Sequence, residues 1–157
     1  MPELSRRVQT FTDSVIRRMT RISDEVDAIN LSQGFPDFPP PKAITDRLRE
    51  VADEGPHQYS VTFGAENFRE ALARKQGRAY GRKINPDTEI LVTCGGTEAM
   101  MSAMMTVCNP GDKVIVFSPF YENYGADAIL SGADPVYVPL VPPDFHYDSE
   151  ALERAFQ

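Results

Sequence analysis

The chain has 157 residues, 41% of them hydrophobic and 25% charged, with thirteen prolines and a formal net charge of −7. That length and balance suit a globular domain with a sizeable core, and the acidic surplus, with arginines scattered among acids and no basic face interleaved with aromatics, excludes a nucleic-acid binder. No uncharged apolar run approaches the roughly 20 residues of a membrane span and no signal or transit pattern is present, so a cytoplasmic protein is expected, with no membrane partner.

In chain order, residues 1–13 read as an arm whose arginines, with Arg17, Arg18 and Arg21, form a solvated face. Asp13 or Ser14 is suited to cap a helix to about Val26, in which Val15, Met19 and Ile22 fall at helical spacing. Ala28 to Leu31 is a short apolar run that suits a strand. The prolines of Ser32–Pro41 forbid helix and regular strand, leaving a shaped loop. Within it Gly34 is either a turn glycine or a place where the backbone comes close to something. Lys42 to Asp53 is an amphipathic helix, expected to cover a core with Ile44, Leu48 and Val51 or Ala52. Gly55-Pro56 breaks it, an aromatic loop follows, and a helix from near Glu66 places Phe68, Leu72, Ala79 and Tyr80 around an apolar face before Gly81 ends it. His57, and His146 in a proline-rich loop, are assigned no role.

From Glu89 the pattern alternates between strand and helix. Strand 89–94 leads into helix 97–108, whose Met100, Met101, Met104 and Met105 and scarcity of charge predict burial on most sides; Cys94 and Cys108 read as buried thiols. Asn109-Pro110-Gly111-Asp112 suits a type II turn. Strand 113–117, a helix from Tyr121 to Ser131, strand 135–140 and a last helix capped by Asp148 complete an α/β pattern with a parallel sheet covered on both faces. Gly95 and Gly96 at a helix start leave bare N–H groups and the positive end of a helix dipole facing one space, which an anion fits; a turn that uses glycine for its φ angles explains the same residues. In an open parallel sheet the C-terminal strand ends would gather Gly95, Gly96 and Thr97 with Ser118-Pro119-Phe120-Tyr121. Phosphate-binding backbone beside an aromatic face favours a flat, phosphorylated cofactor.

Five segments together resemble the class I and II aminotransferases, the pyridoxal-phosphate enzymes of fold type I. They are Leu4–Gln9, Ile29–Phe38, Tyr59–Gly64 with Phe68–Leu72, Thr93–Ala99, and Asn109–Asp112 followed by Ser118–Tyr121. Phe68 stands where that family usually has Leu. The resemblance implies an arm, helix and substrate-side loop over 1–40, helices leading into the large domain over 41–88, and the first part of the cofactor-binding large domain over 89–157. It implies that Gly95, Gly96 and Thr97 hold the phosphate of pyridoxal 5′-phosphate and that Tyr121 stacks on its ring. It further implies that Tyr59 reaches a partner subunit's phosphate in a homodimer and that Gly34 lies against the bound amino acid. The reaction implied is transfer of an amino group from an α-amino acid to a 2-oxo acid, with a lyase of the same fold, or a non-catalytic dimerisation or binding module, as alternatives. The family's Schiff-base lysine has no counterpart among Lys42, Lys75, Lys83 and Lys113. The chain is therefore expected to be an inactive N-terminal part of such an enzyme, with the C-terminal portion missing or supplied as a separate chain.

Overall fold

A computed structural model describes residues 3–11, 13–55 and 57–157. Met1, Pro2 and Thr12 of the expected arm, and the helix break expected at Pro56, lie outside the described residues. The chain divides into two compact units, one made of 1–12 with 92–157 and the other of 13–91.

The 13–91 unit is helical. Ser14 caps α1 (Val15–Glu25), its hydroxyl accepting from the Arg17 amide at 3.3 Å, a bond of a type that contributes about 1 kcal/mol. α2 (Lys42–Asp53) spans the range its periodicity predicts, and α3 (Glu66–Tyr80) ends at Gly81, which takes φ +64° because only glycine adopts the left-handed region without cost. The apolar stripes are less covered than their spacing predicts. Ile44 and Leu48 of α2 and Phe68 and Tyr80 of α3 are exposed, and α3 instead buries Arg69 and Ala73. These stripes meet no second apolar layer among the described residues. Ala28–Leu31 is not a strand: an Asn30 amide bond to Thr20 and the Asn30 carboxamide oxygen on the Ser32 amide tie it into a loop.

The second unit carries the sheet. Residues Arg6–Val8 of the arm form a short 3₁₀ turn that lies against helix α5 (Asn123–Leu130). α4 (Gly96–Val107) leads through the Asn109–Asp112 turn, closed by an Asp112 N–H to Asn109 C=O bond of 3.1 Å with Gly111 at φ +90°, into β1 (Lys113–Ser118). α5 carries the chain over to β2 (Asp134–Val141), which pairs parallel with β1 from Lys113↔Asp134 to Ser118↔Pro139. Val116, Ala128, Ala133 and Val138 form the buried core, and burying each valine is worth about 1.5–3 kcal/mol.

Four expectations change here. The sheet is mixed, not wholly parallel, because β3 (His146–Tyr147) turns back antiparallel on β2 and takes His146 out of the expected loop. Residues 89–94 form no strand, since a strand exists only where a neighbour completes its ladder and none of the described residues does so. α4 buries none of its residues, with Met105 62% exposed; among the described residues its main packing partner is α5, which does not enclose it. Cys94 is exposed and Cys108 half-buried, for the same lack of cover. α6 (Ser149–Ala155) begins at Asp148 as its cap signal predicts, the carboxylate accepting from the Glu150 amide, and packs on β2.

Candidate anion and cofactor site

The candidate site is built where α4 begins. Gly95 adopts φ +88° and ψ 176°, a conformation open only to glycine, and the Thr93 carbonyl and hydroxyl clamp it by accepting from its amide at 2.8 Å and donating to its carbonyl at 3.0 Å. The first bond of the helical ladder runs from the Ala99 amide to the Gly95 carbonyl, and no side chain caps the helix. The amides of Gly96, Thr97 and Glu98 therefore stand outside the ladder at the positive end of the helix. A Cβ added at Gly95 or Gly96 would meet nothing within 4 Å, so the glycines leave open space in front of these donors. Glu98 is turned back, its carboxylate accepting from the Cys94 amide.

Thr97 is oriented from α5. The Asn123 side-chain amide donates to its hydroxyl oxygen at 2.8 Å, which leaves the Thr97 hydroxyl proton to be donated elsewhere. Asn123 was not among the residues that sequence reasoning selected. Its signal, a side-chain amide in the first turn of a helix that follows a strand, is masked by the expectation that this helix starts at Tyr121; it starts at Asn123 instead.

Two residues before Asn123, the Tyr121 ring is 52% exposed and meets Tyr124 edge-on at 6.0 Å between centroids. The preceding Phe120 is stacked on Tyr137 of β2 at 5.1 Å. Tyr121 is thus the more exposed of the two rings that follow β1. An apolar hollow of about 430 Å³ follows β1 on its unpaired side, between Met100, Met104, Phe117, Tyr121 and Tyr124. One carboxyl of this unit is perturbed: burial pushes Asp127 of α5 above the usual carboxylate range.

The structure thus brings Gly95, Gly96, Thr97 and Tyr121 into one region. Tyr59 and Gly34 belong to the other unit, on separate loops. The Tyr59 ring is wholly exposed at a backbone φ of +37°, and a Cβ at Gly34 would meet nothing within 4 Å.

Residues 26–157 match the family described as aminotransferase class I and II. The chain belongs to that family. It is 38% identical to a methionine aminotransferase of Escherichia coli over 135 residues, covering 86% of this chain and 35% of that protein. It is 35% identical to a probable N-succinyldiaminopimelate aminotransferase of Mycobacterium tuberculosis over 151 residues, 95% of this chain and 38% of that one. Among solved structures, the fold superposes with a TM-score of 0.88 and 34% identity on the E. coli methionine aminotransferase, covering 98% of this chain and 40% of that one. An aspartate aminotransferase of Thermus thermophilus with maleate gives 0.87 at 32% identity, covering 100% and 42%. The chain thus spans about two fifths of the length of these relatives.

Proposed function

We propose that this chain forms the phosphate-binding part of a pyridoxal-phosphate-dependent aminotransferase, the whole protein transferring an amino group from an α-amino acid to a 2-oxo acid. The observation that carries the reading is the head of α4, where three amides outside the helical ladder face the space left by Gly95 and Gly96. A phosphate fits such a donor set, and the Thr97 hydroxyl, held by Asn123, adds a further donor. Tyr121 offers its exposed face to a planar ring, limiting tilt. When bound, the cofactor supplies the electron sink for bond cleavage at the amino-acid Cα. The chain's own part is to bind and orient. The one lysine of 92–157, Lys113, opens β1 at the end away from Ser118, roughly 17 Å along the strand, so it is no candidate for proton transfer at this site.

Tyr59 and Gly34 extend the proposal. A fully exposed tyrosine on a loop suits a reach to a second subunit's phosphate in a homodimer, and Gly34 suits a close approach to the bound amino acid. A cytoplasmic setting accords with two free thiols, and no helix among the described residues is long and apolar enough to cross a membrane.

The test uses 4′-deoxypyridoxine 5′-phosphate, which lacks the aldehyde and so cannot react with surface lysines. The phosphate ester is expected to bind at least about tenfold more tightly than 4′-deoxypyridoxine, as charge-assisted bonds of this kind imply, and Gly95→Ala is expected to remove the preference. Equal binding of the two compounds would overturn the reading.

A further inference from the structure

Asn123, Asp127 and Ser131 follow one another at intervals of four residues along α5 and its C-cap, so they share one face. The outer two both meet α4: Asn123 donates to the Thr97 hydroxyl at 2.8 Å, and the Ser131 hydroxyl, which donates to the Asp127 carbonyl at 2.7 Å, lies 3.8 Å from the Met101 sulfur. Thr97 and Met101 are themselves one helical turn apart. Asp127 is therefore held on the α4 side of α5, one turn behind the bond that orients Thr97. It is 4% exposed, and its Oδ2 is fully enclosed with no hydrogen-bond partner.

A carboxylate with an enclosed oxygen that lacks a partner costs free energy when it is ionised. Here it also sits behind donors that are suited to receive an anion. We propose that Asp127 is a positioning residue that sets the charge balance of the anion cradle. Neutral, it leaves the head of α4 free to take a doubly charged phosphate; ionised, it places a negative charge behind Thr97 and weakens that binding. The proposal rests on reading the α4 head as a phosphate cradle. Its new content is the coupling of that cradle to a buried acid that does not touch the anion.

The other charged or titratable groups on elements packed against α5 are Glu98 on α4, Arg6 and Arg7 on the 3₁₀ turn, Lys113 on β1, and Asp134 and Tyr137 on β2, with Glu122 and Tyr124 at the start of α5 itself. Burial raises the Asp127 carboxyl above its ordinary range.

Sulfate is the probe, because its charge stays at −2 across the range where phosphate itself titrates. Sulfate affinity of the 157-residue chain is measured by calorimetry from pH 3.5 to 8.5, for the unsubstituted protein and for Asp127→Asn. The unsubstituted chain is expected to lose roughly three- to tenfold in affinity as the pH rises, the size of effect expected from one charge about a helical turn away in a partly screened site. Asp127→Asn is expected to keep the low-pH affinity throughout. The difference between the two profiles reads Asp127. Carbon-13 NMR of the unsubstituted chain supplies a measurement that needs no variant: saturating sulfate is expected to move the Asp127 titration to higher pH, by reciprocity of the coupling. Parallel profiles, or an Asp127 titration that sulfate leaves unmoved, would overturn the inference while the cradle stands. Sulfate binding that is absent at every pH, or unaffected by Gly95→Ala, would overturn the cradle and the role of Asp127 with it.

Discussion

Residues 13–91 centre on a buried charged side chain that joins two loops, whereas residues 92–157 centre on a strand ladder with small apolar contacts. In the first unit the most heavily bonded buried side chain is Arg69, which donates to the Gly64 carbonyl at 3.0 Å and to the Pro86 carbonyl and the Asp87 carboxylate at 2.7 Å, tying the loop before α3 to the loop after it. In the second, Val116 and Val138 stand at the centre of a six-residue parallel ladder. One guanidinium with three acceptors can define two loops without a large apolar core. A strand pair cannot be held that way, because its stability comes from side chains that arrive from distant parts of the chain. The two units should therefore respond to different perturbations.

The largest effect is expected at Val138. Val138→Asp places an unpaired charge at a position 2% exposed and should cost on the order of 4 kcal/mol or more. Amide hydrogen exchange should show protection lost across β1 and β2 and retained in α3; equal loss in both would erase the distinction. Next comes Arg69→Met, which keeps the volume but leaves two carbonyls without a donor, with an expected cost of about 2–4 kcal/mol read by urea denaturation. Here exchange should rise over 64–87 while the strand pair keeps its protection.

Gly95→Ala should cost about 1–2 kcal/mol, because alanine is strained at φ +88°. The loss should be confined to the head of α4, visible as amide shifts at 93–99 without a change in α3.

The smallest effect is also the sharpest in sign. The Asn85 amide and then Arg82 hold Glu89 below its ordinary range, so its contribution is present above the unfolded value of about 4.3 and is lost as pH falls through the lower folded value. Burial holds Asp127 above its ordinary range, so its contribution is fully present below the unfolded value of about 3.9 and is lost as pH rises through the raised folded value. Acidification should thus loosen the 82–89 loop and firm the α4–α5 pair. Parallel pH profiles of amide exchange in the two segments would contradict this.

Much of this was legible before the structure, wherever the signal was local. The cap of α1, expected at Asp13 or Ser14 and found at Ser14, the bounds of α2, the left-handed glycine at 81, the turn at 109–112 and the aspartate cap at 148 each depend on a few neighbouring residues, and all stand as their chemistry predicts. The candidate glycines and Thr97 were legible for the same reason, since a Gly-Gly helix head signals itself. Asn123 and Asp127 were not, because their meaning depends on which face of α5 turns towards α4.

The amino-acid sequence by itself determined most of the helices, the caps of α1 and α6, the 109–112 turn and the family, since these rest on local periodicity, φ preferences and the order of short motifs. Only the tertiary structure decided that 89–94 forms no strand, that β3 turns back antiparallel, that the methionines of α4 are only partly covered, and that an amide and a buried acid of α5 stand behind Thr97. Strand pairing, cover and side-chain neighbours are properties of residues far apart in the chain, and no local propensity specifies which of them will meet.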